Sequence, residues 1–166
     1  MADVSSTNSP KFIADENVGK LTRSLRLLGF DTTFFNGEND SQMVNIALEQ
    51  NRIILTRDTH IQERRLITSG AIRAVLIRSD EIEAQTRQVL DELSLSELIK
   101  PFTLCLEDNQ PLESRTKEEV RDRVPPYVFQ THNQYMECPL CHRYYWKGTH
   151  WQAMIKTLDK LLKSFS

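Results

Sequence analysis

Apolar residues change their spacing in a regular alternation over the first two thirds of the chain. Lys11 to Ala14 is a short, mostly apolar run that ends at Asp15-Glu16-Asn17, and from Val18 the apolar positions fall at Val18, Leu21, Leu25 and Leu28. The first run is a strand. The second has the spacing of one helix face, and Gly29 stands just past its end as a stop. Asp31 to Phe35 alternates and carries threonines and phenylalanines, as a strand does, and it closes on the turn signal Asn36-Gly37. Met43, Val44, Ile46, Ala47 and Leu48 mark a second helix, which Asp40 or Ser41 can cap. Arg52-Ile53-Ile54-Leu55-Thr56-Arg57-Asp58 is too short for a helix and rich in β-branched residues, so it reads as a buried strand of a parallel sheet. A helix from about Thr59 to Ser69 is stopped by Gly70. Ala74-Val75-Leu76-Ile77 is a fourth strand, and Ser79 caps a last helix whose buried face is Ile82, Val89, Leu90 and Leu93.

Four repeats of strand and helix predict an α/β fold, a parallel sheet with helices on both faces and right-handed crossovers. After Leu98 this rhythm stops, and Pro101, Pro111, Pro125 and Pro126 punctuate a segment of little periodicity. The boundary is placed near residue 100. Residues 11–100 form the α/β domain, and 101–166 form a small metal-type module. That module closes with an amphipathic helix carrying Trp151, Met154, Ile155, Leu158, Leu161 and Leu162. Residues 1–10 read as a disordered leader.

The carboxyl ends of the strands in an open α/β sheet line its functional crevice. Asp15, Asp58 and Asp80 each follow a strand, and Asp40 follows the loop after another. Like charges that converge disfavour one another, so such a cluster usually exists to hold divalent cations. Ligation by oxygen alone selects Mg²⁺ or Mn²⁺, and the chemistry that follows is water activation and in-line displacement at phosphorus. Each acid has a plainer alternative, since Asp40, Asp58 and Asp80 can cap helices; Asp15, which interrupts an apolar strand, is the hardest to explain that way. Lys20, Arg23 and Arg26 project from the side of the first helix opposite its apolar stripe, and Arg57 adjoins Asp58. These four are either a solvated face or a grip for the phosphate backbone of a nucleic acid.

The chain's 166 residues, with a formal net charge of -2, argue against an indiscriminate polyanion binder, so a nucleic-acid surface would be local. No apolar run approaches the roughly 20 residues that span a bilayer, and the N-terminus lacks the regions of a signal peptide, which together predict a soluble cytoplasmic protein without membrane contact. Two of the three cysteines stand as Cys138-Pro139-Leu140-Cys141, a spacing that suggests metal before a disulfide.

Several stretches resemble the Mut-seven C-terminal ribonuclease family. They are Phe12-Ile13-Ala14-Asp15, Gly19-Lys20-Leu21 through Leu25-Arg26-Leu27-Leu28-Gly29-Phe30-Asp31-Thr32, Ile54-Leu55-Thr56-Arg57-Asp58 and Leu76-Ile77-Arg78-Ser79-Asp80. The likeness continues through Arg123-Val124-Pro125-Pro126, Cys138-Pro139-Leu140-Cys141 and Tyr145-Trp146-Lys147-Gly148-Thr149-His150-Trp151. It implies a PIN-like nuclease domain followed by a zinc ribbon. Asp15, Asp40, Asp58 and Asp80 then stand at the acidic positions of a Mg²⁺- or Mn²⁺-dependent endoribonuclease acting on RNA, with Glu38 the alternative to Asp40. A ribbon of this type uses two C-x₂-C knuckles. Here the first reads Cys105-Leu106-Glu107-Asp108, so that Asp108 stands in place of the fourth cysteine. Zn²⁺ would be held by Cys105, Asp108, Cys138 and Cys141, or His132, His142 or His150 would complete the shell; without zinc the cysteines are buried thiols. Trp146 and Trp151 read as core, and Tyr144 and Tyr145 as either core or base-stacking surface. The rival class is a non-catalytic RNA-binding or interaction module. A phosphoacceptor receiver domain fits worst, because it needs a lysine after a fifth strand and Lys100 stands before a proline in what reads as a linker.

Overall fold

The computed structural model describes residues 9–163, and the segment read as a leader lies, up to residue 8, outside the described residues. The chain divides into two compact units, one ending at Phe102 and the other beginning at Thr103.

In the first unit, four parallel strands stand in the order β2-β1-β3-β4: β1 (Lys11–Ala14), β2 (Thr32–Phe34), β3 (Arg52–Thr56) and β4 (Ala74–Leu76). Phe12, Ile13 and Ala14 are all fully buried, which is why β1 reads as a continuous apolar run. Helix α1 (Gly19–Leu27), entered through a 3₁₀ turn over Glu16–Val18, packs on α4 (Ile82–Glu92), where the hydroxyls of Ser24 and Thr86 meet at 2.8 Å. Helix α2 (Asp40–Gln50) covers β3 and β1, and its Met43, Val44 and Ala47 bury against Ile13, Ile54 and Ile61. Helix α1 ends at Gly29, whose φ of +91° and approach to Lys100 exclude a side chain: a Cβ there would stand 2.3 Å from the Lys100 carbonyl oxygen. Lys100 donates its N–H to Leu28 at 2.8 Å, so the residue read as linker is docked against the end of α1.

Three details differ from the sequence reading. The helix expected over Thr59 to Ser69 is a 3₁₀ turn, Thr59–Glu63, followed after an extended Arg64 by the short helix α3 (Arg65–Thr68). Asn39, not Asp40 or Ser41, caps α2, because its side-chain oxygen accepts from the Ser41 N–H at 2.8 Å. Ser79 accepts from the Glu81 N–H but does not cap α4, whose N-terminus has no side-chain cap.

The second unit is an antiparallel sheet in the order β5-β6-β7, of β5 (Glu113–Arg115), β6 (Tyr135–Glu137) and β7 (Tyr144–Trp146). Helix α5 (Pro126–Thr131) precedes β6, with Pro126 at its first turn, and α6 (Thr149–Lys163) closes the described chain. Val120, Val124, Val128 and Tyr135 form its core cluster, with Phe129, Tyr144 and Trp146 packed against it. Trp146 is therefore core, as read; Trp151 is half-buried with the Lys147 ammonium 5.9 Å from its ring centre. A cluster this small does not by itself hold a unit of this length, and the cysteines lie in the same unit.

Candidate active site and metal centre

Each half of the sulfur centre is a local turn. Cys105 donates its N–H to Gln110 and accepts from the Asn109 N–H, while Cys138 donates to Arg143 and accepts from the His142 N–H. Asn109 and His142 take the same left-handed conformation, φ +60° and +62°. The two knuckles thus share one backbone geometry, and Asp108 in the first occupies the place of Cys141 in the second. Among the described residues, Cys105, Asp108, Cys138 and Cys141 form the one group of three or more His, Cys, Asp or Glu that could hold a metal ion, with their ligand atoms all within 4.8 Å of one another. Tetrahedral Zn²⁺ spaces two thiolates about 3.8 Å apart, and a thiolate and a carboxylate oxygen about 3.5 Å apart. The Cys105 and Cys141 sulfurs are 3.8 Å apart, and Asp108 Oδ2 lies 3.5 Å from Cys138 Sγ and 3.8 Å from Cys105 Sγ. The residues fit the ion.

The electrostatics agree. The Asp108 carboxylate pushes the Cys141 thiol up to about 12, and the same hydrogen bond holds Asp108 below its ordinary value. Burial opposes ionisation of Cys105, but the Tyr145 hydroxyl, 3.1 Å from its sulfur, and the backbone groups of Asp108 and Glu107 outweigh it and lower this thiol. Tyr145 also accepts from the Leu106 N–H at 3.3 Å, so this tyrosine serves the knuckle rather than a stacking surface. It was left open in the sequence because nothing local links positions 105 and 145. The histidines do not complete the shell: Nδ1 of His142 lies 2.9 Å from Glu137 Oε2 and that of His132 lies 2.9 Å from Thr131 Oγ1, while the side chain of His150 lies outside the described residues.

The oxygen site is built differently. Asp15 follows β1 and is buried, Oδ1 accepting from the Glu16 N–H at 2.8 Å and Oδ2 from the Thr56 hydroxyl at 2.8 Å. The Thr56 oxygen accepts in turn from the Asp58 N–H at 3.0 Å. Asn17 completes the stitch between the ends of β1 and β3: its amide reaches Asp15 Oδ2 at 3.4 Å, and its carbonyl accepts from the Arg57 N–H at 3.1 Å. Asn17 and Thr56 were missed as positioning groups, because only the pairing of β1 with β3 brings them together. Asp58 caps the 3₁₀ turn through Oδ1, the plainer role weighed for it, and its other oxygen has no protein donor. Asp40 heads α2 without capping it, and Asp80 caps nothing. The four acids follow four adjacent strands, a row about three strand spacings, or roughly 14 Å, across. Among the described residues they do not close into a group of three carboxylates.

Of the cations, Lys20 and Arg57 line an open cleft of about 570 Å³ with Glu16, Asp80, Glu81 and Gln85, between the start of α1 and the start of α4. Arg23 is exposed and is not among the residues lining this cleft. Arg26 requires a correction. It is buried, its Nε donating to the Thr32 carbonyl at 2.9 Å, so it does not project from a solvated face. The buried face of α1 is wider than its leucine stripe and includes Thr22 one turn before it.

The Mut7-C RNAse domain matches residues 10–158, both units included. The chain belongs to that family. A ribonuclease-type function and RNA as its substrate class come with membership, and no helix among the described residues is long and apolar enough to cross a membrane. No curated protein and no solved structure matches the chain.

Proposed function

We propose that this Mut7-C chain is an endoribonuclease that hydrolyses RNA phosphodiester bonds with Mg²⁺ or Mn²⁺ at the carboxyl edge of its parallel sheet. The observation that carries this reading is the Asp15, Thr56 and Asp58 arrangement at the ends of the two central strands. The donor set suits a hard cation, which takes one or two protein carboxylates and completes its shell with water and substrate phosphate. When bound, such an ion supplies charge stabilisation for displacement at phosphorus. Asp15 and Asp58 would hold it. Thr56 keeps the Asp15 carboxylate turned toward β3, and Asn17 holds the loop bearing Arg57. Asp40 or Asp80 would complete the ion shell through water and take the proton of the attacking water, while Lys20, Arg57 and Arg23 hold the phosphate backbone. Zn²⁺ on Cys105, Asp108, Cys138 and Cys141 is structural. Its thiolate ligands persist in a reducing compartment, which supports a cytoplasmic place of action.

One observation favours a second reading, a non-catalytic RNA-binding module. Both Asp15 oxygens and one of Asp58 already accept protein hydrogen bonds, and the acids are spread in a row. Cleavage of end-labelled single-stranded and structured RNA, with a DNA control, separates the two. Cutting in Mn²⁺ or Mg²⁺ that EDTA abolishes and that an Asp15→Asn, Asp58→Asn variant loses supports the nuclease. Identical product patterns from wild type and variant under every ion support the binding module.

A further inference from the structure

The cleft between the starts of α1 and α4 carries unpaired charge of both signs. Lys20 and Arg57 line it together with Glu16, Asp80 and Glu81, yet among the described residues neither cation forms an ion pair and none of these carboxylates accepts a side-chain hydrogen bond. Each group sits on a different support, with Lys20 in the first turn of α1, Arg57 just beyond β3 and Glu81 at the head of α4. The backbone therefore keeps the charges apart across solvent. A ligand that fits this lining has an anionic end and, on the same small molecule, a cluster of N–H donors. An unpaired nucleotide has both, and about 570 Å³ has room for one.

Resting on the nuclease reading, we propose that this cleft is a base-selective subsite for one unpaired nucleotide of the RNA. Lys20 and Arg57 hold its phosphate, and the carboxylates of Glu16 and Glu81 accept from the exocyclic amine of its base. The subsite thus favours cytosine over uracil, which has the same shape but presents a carbonyl oxygen where cytosine presents an amine. A carboxylate facing that oxygen leaves two acceptors opposed, whereas an amide offers it a donor.

The test is equilibrium binding of labelled single-stranded oligocytidine and oligouridine to the full chain in Mg²⁺, carrying Asp15→Asn so that the strands stay intact. Oligocytidine is expected to bind about tenfold more tightly than oligouridine, the low end for one hydrogen-bonded discrimination. Glu81→Gln combined with Glu16→Gln should remove that preference without changing the salt dependence. Lys20→Ala with Arg57→Ala should weaken both strands alike and make the slope of log affinity against log salt shallower by about 1.4. Equal binding of the two strands, or a preference that survives the glutamine substitutions, overturns the proposal. The two readings fail separately. Cleavage without base preference leaves the nuclease and removes the subsite, while a preference lost in the glutamine variants without cleavage keeps the subsite and removes catalysis.

Discussion

The sulfur centre and the oxygen edge are assembled by opposite means. Every ligand of the first comes from one of two five-residue turns with the same hydrogen bonds and the same left-handed residue at the end, so its geometry is set locally and twice over. Every acid of the second comes from a different strand end, so its geometry is whatever the sheet's 4.8 Å spacing allows. The consequence is a tight cluster in one unit and a row in the other. Soft thiolates with a single carboxylate suit an ion enclosed on all sides by protein. Spread carboxylates suit one that leaves much of its shell to water and phosphate.

The sharpest way to break this contrast is to take away the metal. Removal of zinc with a chelator, or Cys138→Ala, should unfold the second unit and leave the first intact, since structural zinc sites of this size are worth about 10–16 kcal/mol in apparent binding energy. Protection of β5–β7 amides in hydrogen exchange should vanish while that of β1–β4 persists; unfolding of both together would show that the first unit also depends on the ion. Phe12→Ala tests the converse. Phe12 is fully buried and meets Phe30 edge to face, so its loss should cost about 3–5 kcal/mol in the first unit, read by denaturant titration, with zinc content unchanged. Next comes catalysis at the oxygen edge. Asp58→Asn keeps an oxygen for the His60 N–H cap, so cleavage should fall about 100-fold or more with the melting temperature nearly constant. A parallel loss of folded protein would make the acid structural.

Smaller effects sharpen the sulfur side. Asp108→Cys restores an all-thiolate set and should tighten zinc by about tenfold, and Tyr145→Phe should weaken it by about tenfold, both read by competition with a chromophoric chelator. Unchanged affinity in the first variant would place Asp108 outside the shell. The smallest effect concerns pH. Glu137 is held below its ordinary carboxyl range, first by the His142 ring at 2.9 Å and then, against its burial, by the Arg115 guanidinium. A group whose folded value is depressed stabilises the fold above its unfolded value and loses that contribution as pH falls through the folded one. The second unit should therefore lose stability as pH drops below about 4.5, and Glu137→Gln should flatten that dependence in thermal melts at constant zinc.

Local patterns announced most of the architecture. The buried run of β1, the heptad-like leucines of α1 and the positive-φ glycines at 29 and 70 all express short-range physics, and each was readable in order. Long-range packing was not. Arg26 looked solvated because a leucine stripe says which residues must be buried but not how wide the covered face becomes once α4 and β2 pack against it. The segment after Asp58 has a helical pattern, yet Arg64 takes an extended conformation and splits it, with its guanidinium on the Ser41 hydroxyl at 3.0 Å.

What the chain's own order of residues determined is the inventory: which strands exist, that each ends near an acid, and that two knuckles carry sulfur with Asp108 at the fourth place. These follow from spacing, because turns, caps and periodicities act over a few residues. What only the tertiary structure decided is adjacency. The pairing of β1 with β3 joins Asp15 to Asp58 through Thr56, the return of β7 carries Tyr145 to Cys105, and the approach of α4 to α1 opens a cleft between charges that never pair. Side chains dozens of residues apart meet only when apolar burial closes the intervening loops, and no local preference encodes that distance.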